Sequence, residues 1–307
     1  MARLANKIIL KTLQGIGKKS WKTIYRLSDF LSFTLNRLLG YRRKVVMKNL
    51  QNSLPNYSES QLKSVADQFY RNLSDIMLES LKLQSISKSE LLERVSLDTS
   101  LFDKYYEQKK NLVVVLGHLG NWEIANLFAA VRLSHQVVVV YHQLANQTMD
   151  RWLYELRSRF GSEMIPMRQA MIQATAPREK PFLFFLVNDQ SPNPNKAYWT
   201  QFLNQETGVF RGVENIARLL NAPVLYCAIM RKPKKRGYYD IKVEEITENP
   251  QELEQNAIIE KQIKLLERDI KTQPDNWLWS HKRWKHAKPR PLQTNETLDH
   301  NQQNEAS

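Results

Sequence analysis

The 307-residue chain has a single cysteine, Cys227, so it can form no intramolecular disulfide and no cysteine-rich zinc or iron–sulfur centre. Nine glycines are too few for collagen-like or glycine-linker organisation. Long apolar runs are missing near the start: only seven residues separate the charges of Asp29 and Arg37, against the roughly 20 that a bilayer-crossing helix needs. Residues 1–20 do not read as a signal peptide, because basic residues punctuate the apolar positions. Acid is scarce as well. The whole chain has 45 Lys and Arg against 31 Asp and Glu, net +14, and residues 1–48 hold twelve Lys and Arg but one acid, Asp29.

What is present points to a folded chain with a basic arm. The 42% hydrophobic and 10% aromatic content can fill a core. In the arm, Ile24, Leu27, Leu31, Leu35 and Leu38 recur at helical spacing, with Trp21, Phe30 and Phe33 nearby. This predicts a basic amphipathic helix that either lies in the interface of an anionic membrane or docks its leucines onto the domain. No zinc-finger or RNP signature follows the arm, so nucleic acid is not among the expected partners.

Residues 41–53 and 58–83 read as helices, the second opening at Ser58 with Leu62, Val65, Phe69, Leu73, Ile76 and Leu83 on one face. Four short apolar runs follow, at 111–117, 136–142, 181–188 and 223–230, as expected of strands buried on both faces. Helical stretches fall at about 121–133, 146–160, 212–221 and 251–272, and the alternating run 237–246 reads as an edge strand. The expected fold is α/β: a mixed, largely parallel sheet flanked by helices, with a helical N-terminal layer and a basic amphipathic membrane-facing helix. Three segments follow: a basic amphipathic stretch at 1–40, one main domain at 41–286, and a polar tail at 287–307 whose composition predicts disorder.

The chemistry concentrates in Leu112–Glu123, where a buried strand runs through a turn bracketed by Gly117 and Gly120 into a helix. Open α/β sheets place ligands at strand carboxyl ends. Within one helix a five-residue step would part His118 and Glu123 by about 140°, so the turn is needed if the carboxylate is to reach the imidazole. A joined pair could activate a substrate hydroxyl as general base. No G-x-S-x-G elbow is present and Cys227 sits in an apolar run, so a covalent intermediate is not expected. The alternative is a structural histidine beside a glutamate that complements a helix N-terminus.

The block His118-Leu-Gly-Asn-Trp-Glu123 resembles the H-x4-E signature of the late lipid A biosynthesis acyltransferases, within the glycerol-3-phosphate/lysophospholipid acyltransferase superfamily. Further blocks are similar in the same order: 41–50, Phe69–Leu73, Leu156–Gly161, Asn188–Ser191, Val209–Gly212 and Trp277–Lys285. The resemblance spans about residues 20–286 and departs from many relatives at the N-terminus, which have a longer hydrophobic span there.

The resemblance implies an acyltransferase that moves a fatty acyl chain from an acyl carrier protein or acyl-CoA thioester to a hydroxyl of a lipid A precursor. Alternatives are an amino-acid-based or other lysolipid acceptor, or a non-catalytic membrane-binding relative. His118 would take the acceptor proton with Glu123 holding the ring, and backbone N–H groups near Gly120 and Asn121 would meet the oxyanion. Arg159 would contact an anionic group or form a surface salt bridge. Asp189 would support catalysis or form a turn, and Arg211 would meet phosphate or carboxylate or merely precede a helix. Trp277, Trp279 and Trp284 would seek the membrane interface or pack in the core. No cofactor and no metal are implied. The implied location is the cytoplasmic face of the cell inner membrane, with monotopic or peripheral attachment to its anionic surface.

Overall fold

The four apolar runs lie side by side in one seven-stranded sheet. A computed structural model describes residues 2–289; the greater part of the expected tail, 290–307, lies outside the described residues. The chain opens with α1 (Ala2–Gly17), α2 (Trp21–Phe33, continued by a π-helical turn at Thr34–Leu38), α3 (Arg43–Ser53), α4 (Glu59–Lys82) and α5 (Lys88–Arg94). Then come β1 (Val95–Leu97), α6 (Ser100–Glu107), β2 (Leu112–Leu116), α7 (Trp122–Arg132), β3 (Gln136–Tyr141), α8 (Gln147–Ser158), β4 (Glu163–Pro166) and α9 (Ala170–Ala174). The last part contains β5 (Phe182–Val187), the hairpin strands β6 (Tyr198–Phe202) and β7 (Gln205–Val209), α10 (Gly212–Leu220), β8 (Val224–Arg231), β9 (Tyr239–Thr247) and α11 (Ala257–Thr272).

Sheet order is β1-β9-β8-β2-β5-β3-β4, and every neighbouring pair is parallel except β8 with β9. Alternate residues of the central strands enter two cores. Val113, Val115, Phe184 and Tyr226 face α3, α4, α10 and α11, whereas Leu112, Val114, Phe185 and Leu225 face α5, α6 and α7. Burial on both faces is why these strands read as continuous apolar runs.

One strand departs from expectation. β9 is second from the edge, because β1 pairs with it over Tyr239–Ile241. Three residues are too few to carry a period, so β1 left no signal in the sequence. Helix α4 starts as read, with Ser58 and Gln61 completing a reciprocal capping box.

The leucine stripe of α2 is divided by the structure. Ile24 is fully buried and Leu35 packs partly buried on the core, but the other fully inward positions are polar: Ser28, Ser32 and, beyond the helix, Asn36. Ser28 donates to Asp75 of α4 at 2.6 Å, and the Asn36 amide donates to Asp67 at 2.8 Å. Leu27, Phe30, Phe33 and Leu38 point outward, Phe30 being 69% exposed, and Leu39 and Ile8 join them. The segment therefore docks through these hydrogen bonds together with Ile24, Trp21 and Leu35, and leaves Leu27, Phe30, Phe33 and Leu38 bare. Among the described residues no helix is long and apolar enough to cross a membrane.

Candidate active site

Sheet register brings together two residues that lie 71 apart in sequence. Leu116 at the end of β2 is the partner of Val187 at the end of β5. The ladder continues one bond further, Asn188 N–H donating to the Leu116 carbonyl at 2.9 Å. Two residues past each partner stand His118 and Asp189. The Asp189 carboxylate pairs through Oδ1 with the His118 ring Nδ1. Its Oδ2 accepts the His118 backbone N–H at 2.7 Å and the Trp277 indole N–H at 2.8 Å. Burial by itself would raise the Asp189 pKa. The His118 charge and these hydrogen bonds outweigh it and hold the carboxyl down at about 2.

The bonding pattern assigns the His118 tautomer. With Nδ1 donating to Asp189, Nε2 carries the lone pair, and the Gln190 amide nitrogen lies 3.3 Å from it. The ring packs edge-on against Trp122, centroids 4.7 Å apart. It lines a cavity of about 540 Å³ together with Trp122, Glu123, Arg157, Gln190 and His281.

The expected contact between His118 and Glu123 is not formed. Glu123 sits in the first turn of α7, buried, and takes two hydrogen bonds from Arg157 of α8, at 2.9 and 2.5 Å. Its carboxylate thus lines the cavity without bonding the ring; Asp189 is the acid that orients the imidazole.

The turn that carries His118 depends on two glycines. Gly120 has φ +58°, and a Cβ there would fall 2.5 Å from the Ile229 carbonyl oxygen. At Gly117 a Cβ would meet Leu266 at 2.5 Å and Asp189 Oδ2 at 3.0 Å, displacing the acid from the histidine. The Gly120 N–H is bonded to the Asn276 carbonyl at 3.1 Å, so it is not free to meet an oxyanion as expected. Asn121 is wholly buried. It caps α7 by accepting from Ile124 N–H at 3.1 Å and donates to Glu79 at 2.8 Å, so its side chain turns away from the cavity.

Two arginines are placed elsewhere than expected. Arg159 donates to the carbonyls of Leu83 and Ile86, both at 2.7 Å, closing the end of α4 rather than meeting an anion or a salt-bridge partner. Arg211 lies over the Tyr198 ring at 5.6 Å and reaches Asn256 at 3.4 Å, outside the wall of the His118 cavity. Reading by residue missed Arg157. The block 156–161 marked the right segment, but on α8 a two-residue step turns the side chain by about 200°. Gln190 stood in the block with Asp189 and was passed over.

Trp277 and Trp279 are core residues, 2% and 0% exposed, and Trp284 packs partly buried on them. Cys227 is buried, and burial pushes its thiol up to about 12, leaving it no nucleophile at neutral pH.

His281, on the cavity wall, is held down at about 4 against an ordinary 6.5. Burial is the largest cause, the charges of Arg283, His118 and Lys285 reinforce it, and Asp189 opposes it. Its folded value lies below its unfolded one, so the unfolded chain binds the extra proton between those limits. The stability it contributes is complete above pH 6.5 and is lost as pH falls toward 4. His135, lowered chiefly by burial, adds with the same sign. Urea unfolding at stepped pH should show this loss, and His281→Asn should make the slope shallower. An unchanged slope in the variant would place the titration elsewhere.

Comparison with curated proteins returns no match. Comparison with family models returns bacterial lipid A biosynthesis acyltransferase, matched over residues 8–286, a span that holds the whole sheet, the His118–Asp189 pair and the Glu123–Arg157 pair. The chain belongs to the bacterial lipid A biosynthesis acyltransferase family.

Proposed function

We propose that the protein transfers a fatty acyl chain from an acyl carrier protein or acyl-CoA thioester to a hydroxyl of a lipid A precursor, with His118 as general base. The supporting observation is the His118 ring itself: Nδ1 tied to buried Asp189, Nε2 turned to a cavity beside a replaceable amide. An acceptor hydroxyl bound there takes the place of the Gln190 amide and donates its proton to Nε2. The oxygen attacks the thioester carbonyl, the tetrahedral oxyanion collapses, and the thiolate leaves with the proton from His118. No enzyme nucleophile takes part.

Asp189 holds the ring and stabilises its charged form, as the acid does in a Ser-His-Asp site. Two sources of oxyanion stabilisation line the same cavity: the Gln190 amide and the N–H groups of Trp122 and Glu123 that open α7 ahead of the capped Ile124 N–H. Glu123 and Arg157 act as positioning residues, clamping α7 to α8 across the cavity. Mass spectrometry of products from purified protein, acyl thioester and lipid A precursor tests the reading directly. A new acyl ester on the precursor is expected; an untouched precursor with every thioester donor would reject it.

We further propose monotopic or peripheral attachment to the cytoplasmic face of the inner membrane through the bare face of α1 and α2. Apolar side chains there stand among exposed Lys18, Lys19, Lys22 and Arg26, the pattern of an interfacial helix. Phe30→Ser/Leu38→Ser/Leu39→Ser should weaken co-sedimentation with anionic vesicles by more than about tenfold, since each buried large side chain is worth about 1.5–3 kcal/mol. Unchanged sedimentation would defeat this attachment.

A further inference from the structure

Between α2 and the turn joining β8 to β9 runs a groove of about 900 Å³, floored by α4. The turn is dense in cations: five of the six residues Arg231–Arg236 are basic, Pro233 being the exception. Most groove charges are already matched. Arg236 binds Asp29 and Asp75, Lys232 binds Asp240 at 2.9 Å, and Arg37 binds Asp67 at 3.2 Å. Arg231 donates to Asn276 at 3.1 Å and to the Asn72 carbonyl at 3.0 Å. Arg71, Lys234 and Lys235 form no ion pair among the described residues, and all three are exposed on the groove.

The opposite rim is greasy. Phe33 lines the groove, is 54% exposed, and belongs to the bare apolar face of α2. Asn72 and Asp275 of the groove also border a void of about 10 Å³ that His118 and Trp122 line. We propose that this groove binds the phosphate-bearing headgroup of the lipid acceptor, with phosphate among Arg71, Lys234 and Lys235 and hydrocarbon along Phe33. The volume suits a headgroup. An acidic protein surface would satisfy the cations but would not use an apolar rim continuous with a membrane-facing helix. That the headgroup bound here belongs to the acceptor rests on the general-base reading above; the binding itself does not.

The test is calorimetric titration of the full chain with dihexanoyl phosphatidic acid, with inorganic phosphate, and with an acidic acyl carrier protein. Arg71→Gln/Lys234→Gln/Lys235→Gln should bind the phosphatidic acid about 100-fold more weakly, each basic side chain near an anionic headgroup contributing about 1 kcal/mol. A control of equal charge change at exposed sites off the groove, Lys63→Gln/Lys180→Gln/Lys264→Gln, should stay within about twofold. Lys234→Glu/Lys235→Glu, confined to the exposed turn, repeats the test with the α4 floor intact. Equal losses in groove and control variants, or no loss in either groove variant, overturn the proposal. So does inorganic phosphate binding as tightly as the lipid, or a loss seen for the carrier protein and not for the lipid. His118→Ala should keep full phosphatidic acid affinity. A failure of the general-base reading is thereby separated from a failure of the groove.

Discussion

His118→Ala is expected to lower acyl transfer by about 10³-fold or more, within the range for loss of a positioned general base together with its oriented proton path. Asp189→Asn is the sharper experiment. The amide keeps the shape but presents N–H where the carboxylate accepted three hydrogen bonds, from the His118 ring, the His118 backbone and Trp277. That favours the wrong imidazole tautomer, with the proton on Nε2 facing the cavity. A comparable swap in a Ser-His-Asp site costs about 10⁴-fold in kcat with geometry intact. Here kcat should fall by about 10³-fold while acceptor KM changes little. Steady-state kinetics of both variants, with circular dichroism to verify folding, provides the check. Retention of more than about a tenth of wild-type kcat in Asp189→Asn would remove Asp189 from the proposed mechanism.

The second large effect is expected at Arg157. Its guanidinium neutralises a Glu123 carboxylate whose side chain is only 9% exposed. Burial alone would lower the Arg157 pKa, but the Glu123 hydrogen bonds and charge raise it, so the arginine remains a cation throughout the physiological range. Removing one partner of a buried pair leaves the other charge uncompensated, which typically costs about 3–5 kcal/mol. Arg157→Ala should therefore unfold at markedly lower urea and lose activity. The double variant Glu123→Gln/Arg157→Met, which buries no lone charge, should recover most of the stability. If acyl transfer returns with it, the pair is only a clamp. If stability returns without activity, the pair also sets the cavity for the reaction. A single Arg157→Ala variant within about 1 kcal/mol of wild type would contradict the clamp altogether.

Much of the fold was legible because its signals are local. The four central strands appeared within about one residue of their runs, since burial on both faces requires unbroken Val, Leu and Phe. Helix α4 was visible through its face and its capping residues. Strands β1 and β4 and the β6–β7 hairpin were not legible: they are short and partly exposed, so neighbours rather than composition decide their state. The α2 stripe left two readings open for a related reason. Apolar periodicity identifies an amphipathic helix but not which side the protein buries, and Asp67 and Asp75 on α4 drew the serine–asparagine side inward.

By itself the sequence determined the α/β alternation, the basic arm, the Gly-bracketed turn carrying His118, and the family blocks in their order. Only the tertiary structure decided which carboxylate holds the imidazole. The H-x4-E resemblance pointed to Glu123, five residues away, but α7 turns that side chain toward α8 and Arg157. Parallel pairing of β2 with β5 instead delivers Asp189 from 71 residues away, because partners in a sheet are set by register rather than by separation along the chain.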